Sequence, residues 1–168
     1  IDGGDAAITL SDITIAGNGR NGLQAHTSGP ITAARLTVTG NASQGVVVST
    51  PGRLDLSDSQ ILDHGAGVGL TVLNAAADSL IDDNQIAGAR VVASVVPNVG
   101  DQLTHGKDLR DTDRGVYIRG GTLTIDGIWP TRVFEYVVEY GSDVTVGADA
   151  QLTLEAGLVL KMNTVTDW

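Results

Sequence analysis

The sequence has no cysteine, one methionine, one phenylalanine, two tryptophans and three tyrosines among its 168 residues. Without cysteine, the redox compartment stays open. Aromatic residues make up 4% of the chain, so the obvious stacking platforms of sugar-binding and nucleic-acid-binding surfaces are lacking. Positive charge is equally scarce: ten Lys and Arg against twenty Asp and Glu leave a formal charge of −10, which argues against nucleic acid and against anionic membrane surfaces as partners. There is no transmembrane run, so membrane insertion is not expected, and no signal peptide. No segment carries a helical period of adequate length. The chain begins at Ile1 instead of a methionine, which is compatible with a processed protein, an excised fragment or a partial chain.

What is present is a repeated phrase. Ser11-Asp12-Ile13-Thr14-Ile15, Ala34-Arg35-Leu36-Thr37-Val38, Ser57-Asp58-Ser59-Gln60-Ile61 and Asp82-Asp83-Asn84-Gln85-Ile86 share a pattern, and their anchors Ile15, Val38, Ile61 and Ile86 are spaced by 23, 23 and 25 positions. That is the period of stacked solenoid coils. After each anchor comes a polar bend and a second apolar run: Gly22-Leu23-Gln24-Ala25, Gly45-Val46-Val47-Val48 and Gly69-Leu70-Thr71-Val72. Before each anchor lies a third, in Ile8-Thr9-Leu10, Ile31-Thr32-Ala33 and Leu54-Asp55-Leu56. Each coil therefore carries about three short alternating strands separated by Gly, Asn or Asp turns.

Such a coil cannot bury its own apolar face. It becomes stable by stacking on the next coil at about 4.8 Å, with backbone hydrogen bonds running between coils. Ile15, Val38, Ile61 and Ile86 should then form one internal ladder, and Leu23, Val46 and Leu70 another. Asn18 and Asn41 fall at equivalent bends, where carboxamides can stack; Ala89 ends that file in the fourth coil. The 22 Gly and 18% charged residues suit tight corners around a thin aliphatic core.

The phrases Asp12-Ile13-Thr14-Ile15-Ala16-Gly17-Asn18 and Leu36-Thr37-Val38-Thr39-Gly40-Asn41, each followed by its Gly-led strand, resemble the generic repeat of the pectate-lyase-like superfamily of right-handed parallel β-helices. The resemblance covers roughly residues 5 to 96. It implies an all-β, right-handed parallel β-helix and an extracellular or cell-surface location, and it is almost silent on activity, because the same coil serves lyases, hydrolases, adhesins and tailspikes.

One domain over 1–168 is expected, with about seven coils of 21–25 residues: regular coils over 1–96, a polar excursion over 97–114, and further coils over 115–168 with a different repeat that continues into a missing or neighbouring segment. In that last part Gly121-Thr122-Leu123-Thr124-Ile125 matches Ser142-Asp143-Val144-Thr145-Val146, and Gly115-Val116-Tyr117 matches Tyr136-Val137-Val138. The stretch from Trp129 to Gly157 resembles a module of large bacterial surface proteins. The excursion, which has no strand pattern, reads as a solvated connector; in β-helix enzymes such segments wall a groove.

Three chemistries bear on the polar residues. Asp58, Asp82 and Asp83 fall on related coil positions, with Arg35 one coil below, and outward carboxylates in stacked coils could hold Ca²⁺; as turn residues they more simply cap backbone amides. Asp63-His64-Gly65 with Asp82-Asp83 offers carboxylates for glycosidic hydrolysis, but His64 sits where Asn18 and Asn41 sit elsewhere and reads as a corner residue. His26 and His105 lack partners at metal-ligand spacing. Thr14 and Thr37 begin a file of the kind an ice-binding face needs, which Gln60 and Gln85 end; β-propensity accounts for it and for Thr9, Thr32, Thr122, Thr124, Thr145 and Thr153.

The sequence thus points to a non-catalytic structural or adhesive module, without assigned catalytic or cofactor-binding residues, requiring no cofactor and with Ca²⁺ as an optional ligand. Self-association or flanking β-helix segments are the expected partners, since open coil ends template pairing and no polar cap is evident at either end. The alternative is a polysaccharide lyase or hydrolase acting on acidic glycans, with Lys107, Arg110 and Asp111 as its test residues.

Overall fold

The computed structural model describes residues 1–100, 103, 108–110, 114–131 and 135–162. These form a parallel β-solenoid of about six turns, and no α-helix occurs among the described residues. Every strand pair is parallel, and each strand stacks on its counterpart one coil away.

Three faces make up the regular coils. The first stacks Ile8–Ser11, Ile31–Ala34, Leu54–Ser57 and Leu80–Asp82. The second stacks Thr14–Ala16, Thr37–Thr39, the start of Gln60–Asn74, the start of Gln85–Val95, and Asp108–Arg110. The third runs the length of the molecule through Leu23–His26, Val46–Ser49, the ends of the same two long strands, Arg114–Ile118, Tyr136–Val138 and Leu160–Met162. Among the described residues seven strands stack on this face, separated by six steps. At roughly 4.8 Å per step the stack is about 29 Å long.

Both expected ladders are present. Ile15 pairs with Val38, Val38 with Ile61 and Ile61 with Ile86. Leu23, Val46 and Leu70 are followed by Ala93, Val116, Tyr136 and Leu160 in one continuous file. Alternation explains the burial: in Leu23–His26 the first and third residues point inward and are buried while Gln24 and His26 are exposed. Towards the C-terminal end the core turns aromatic, with Trp129 and Tyr136 stacked at 5.5 Å between ring centroids and 5° between planes.

The corners consume backbone amides with buried polar side chains. The Leu36 N–H donates to Ser59 Oγ at 3.0 Å, and the Ser59 N–H donates to Asn84 Oδ1 at 3.0 Å one coil further on. Thr27 and Thr50 donate to carbonyls of the preceding coil, Ala6 and Gly29, both at 2.5 Å. The corner between the first two faces is left-handed in all four coils, at Asp12, Arg35, Asp58 and Asp83, with φ between 49° and 57°. Gly45 is tied to its corner by packing: a Cβ there would lie 2.5 Å from Ile61 Cγ2 and 2.6 Å from the Gly69 carbonyl oxygen.

Two expected registers shift. Gly121, Thr122 and Leu123 pair with Val144, Thr145 and Val146, a coil two residues longer than the text match suggests. Val116 pairs with Tyr136, so the match of Gly115 with Tyr136 is off by one; a one-residue slip would turn Tyr136 out of the core it fills. Within the expected excursion, Pro97–Val99 forms a short 3-10 turn, and Asp108–Arg110 is strand stacked on Gln85–Ala87, a strand that the sequence pattern did not suggest. Lys107, His105 and Asp111 lie outside the described residues.

The ladder makes a contrast within one dipeptide. Ile61 is fully buried and Gln60 is exposed. Ile61→Ala should cost roughly 2–5 kcal/mol in chemical denaturation, and Gln60→Ala less than about 0.5 kcal/mol. Equal effects would contradict the assigned inward face.

Candidate functional site

The outer surface of the long third face carries a recessed groove of about 380 Å³. Its axis crosses the rungs, because its central column is one in-register file: Gln24, Val47, Thr71, Ser94 and Tyr117. Val68 and Val91, paired on adjacent rungs, form an apolar floor beside it, and Asn21 and Gln44 stand at one end. Outward side chains of a sheet are ordinarily wet, yet here Thr71 is 4% and Ser94 6% exposed.

At the other end three side chains meet. The Ser94 hydroxyl donates to Glu139 Oε1 at 2.6 Å, Arg119 Nη1 donates to Ser94 Oγ at 3.3 Å, and the Arg119–Glu139 ion pair spans 3.6 Å. Arg119 and Glu139 are the charged residues of the described lining, and they cancel. Thr71 Oγ1 and Gln44 Oε1 are buried without a hydrogen-bond partner among the described residues. Leaving such an atom unpaired costs about 1–3 kcal/mol.

Sequence reasoning singled out none of these residues. Their types differ from rung to rung, so no repeated motif marks them. The detectable signal was positional: stepping outward by one from the Leu23, Val46, Leu70 ladder reaches Gln24, Val47 and Thr71.

The residues weighed from sequence lie elsewhere. Asp58 and Asp83 occupy equivalent corners, whereas Asp82 pairs with Ser57 one position earlier. Arg35, in the same corner file, makes two hydrogen bonds of 2.7 Å to Asp12, which hold the Asp12 carboxyl below its ordinary range and raise the guanidinium. Among the described residues, no three His, Asp or Glu side chains are grouped to hold a metal ion. The file Thr14, Thr37, Gln60, Gln85 runs in register as expected.

His64 lies inside a corner. Asn18 Nδ2 donates to Asn41 Oδ1 at 2.8 Å, the stacked pair that the sequence suggested. Hypothetical Cβ atoms on Gly22 and Gly45 would meet Asn41 and His64 respectively, so His64 continues the column from Asn41, and Ala89 pairs with the neighbouring Gly65. His64 is 1% exposed. Neither ring nitrogen has a well-aligned partner among the described residues. Burial lowers the imidazole pKa, outweighing the opposing pull of the nearby Asn41 and Val38 backbone and of Asp63.

Comparison with protein-family models, with curated proteins and with solved structures finds no match to this chain. The groove and the corners therefore carry the functional reading by their own geometry.

The buried His64 gives a pH dependence. Its folded pKa lies below the ordinary value of about 6.5, so on acidification the unfolded chain takes up the proton first and stability falls as pH drops through that value. Melting temperature should therefore decline between about pH 7 and pH 5. His64→Asn, which extends the carboxamide column with a side chain that does not titrate, should flatten that decline. An unchanged slope would place its origin in other groups.

Proposed function

We propose that this chain is a non-catalytic structural or adhesive β-solenoid module of a secreted or cell-surface protein, whose stack is continued across its C-terminal face by another β-coil. The observation that carries this reading is apolar exposure at the last described rung. In the inward file that buries Val116 completely and leaves Tyr136 1% exposed, Leu160 is 37% exposed. Val146, Leu154 and Met162 are exposed around it. With Trp129 and Leu152, Val146, Leu160 and Met162 border an apolar concavity of about 300 Å³.

An open end of a parallel stack offers a template for the next coil, both in its unpaired backbone and in its apolar surface. A second copy stacked end to end, giving a filament, or a flanking β-helix segment would supply that coil. Acid–base hydrolysis of a glycosidic bond uses two carboxylates. The described groove lining has Glu139 alone, engaged by Ser94 and Arg119, which supports recognition or scaffolding over turnover. The finer likeness to pectate-lyase-like β-helices, the cell-surface location and Ca²⁺ as an optional ligand belong to the same proposal.

Electron microscopy of the untruncated protein, with and without Ca²⁺, tests it. Rods with an axial repeat near 4.8 Å are expected, and Leu154→Lys, at an already exposed site, should disperse them without lowering the melting temperature. Discrete monomers in both conditions would overturn end-to-end assembly.

A further inference from the structure

We propose that the groove over Thr71 and Ser94 binds an uncharged, hydroxyl-rich oligosaccharide. This goes beyond assembly at the coil end and rests on the non-catalytic part of that reading. Thr71 is 4% exposed, faces the groove, and its hydroxyl has no partner among the described residues; Gln44 Oε1 is likewise buried and unpaired. A sugar hydroxyl both donates and accepts, so hydroxyls along an oligosaccharide lying in the groove can donate to Gln44 Oε1 and accept from Thr71 Oγ1.

Two further observations narrow the ligand. Thr71 lies between paired strands, Val47 on one side and Ser94 on the other, so an extended peptide cannot add itself to the ladder there and recognition must run through side chains. The groove's two charges, Arg119 and Glu139, neutralise each other, while the whole chain carries −10, which disfavours uronate-rich glycans. Val91 beside the column offers an apolar floor to the C–H face of a ring, so no stacked aromatic is needed.

The test is retention of the untruncated protein on an array of neutral hexasaccharides in gluco, manno and galacto configurations and both linkage senses, alongside oligogalacturonate. Titration calorimetry and product analysis follow for each sugar retained. Binding of a neutral sugar is expected, weakened about ten-fold or more by Thr71→Val and by Gln44→Leu, with melting temperatures unchanged; a ten-fold loss is about 1.4 kcal/mol. Retention of oligogalacturonate alone, retention of no sugar, or binding indifferent to both substitutions would overturn the proposal. Cleaved products would overturn the non-catalytic reading while leaving occupancy of the groove intact, and rods without sugar binding would do the reverse.

Discussion

Parallel backbone pairing between successive coils is the interaction on which everything else in this molecule depends. Each coil has too little thickness to enclose a core, so its amides and carbonyls, and its inward side chains, find their partners one coil away. The hydrogen bonds from Gly22 N to the Gln44 carbonyl and from Gly45 N to the Val68 carbonyl illustrate how the same connection recurs along the axis. Because that pairing is in register, like sits on like inside, and an Ile or Val at one anchor position is covered by an Ile or Val above and below it.

Corners are where this arrangement is hardest to sustain. The chain must turn without leaving amides unpaired, and it does so by giving them side chains from the adjacent coil: Ser59 serves Leu36, Asn84 serves Ser59, and Thr27 and Thr50 reach carbonyls of the coil before. His64 and the Asn41 Nδ2 beside it are instead buried in such a corner without a well-aligned partner among the described residues. Of the polar residues that look most reactive in the sequence, Asp58, Asp83 and His64 sit at corners, while the polar atoms left unpaired in the groove, on Thr71 and Gln44, belong to residues with no reactive look at all.

Surface shape follows from the same stacking. A file of outward side chains that change from rung to rung, Gln24 to Val47 to Thr71 to Ser94, makes a varied surface on a regular frame. Arg119 and Glu139 meet only because the strands they follow occupy neighbouring rungs, with the Glu139 N–H donating to the Ile118 carbonyl.

The sequence by itself determined the coil, its inward ladders and the Asn18–Asn41 column, because a period near 23 residues repeats often enough around Ile15, Val38 and Ile61 to fix which residues coincide. It misjudged the C-terminal registers of Gly121 and Tyr136, where fewer repeats are available and coil length varies, and it did not reveal the strand at Asp108–Arg110, a three-residue alternation too short to stand out in the most charged segment of the chain. The groove, the Ser94–Arg119–Glu139 cluster and the exposure of Leu160 were decided by tertiary structure alone. The physical reason is that inward positions are constrained to be alike by packing, and so repeat visibly in the sequence, whereas outward positions meet only through stacking and share no chemistry that a reader of the chain could trace.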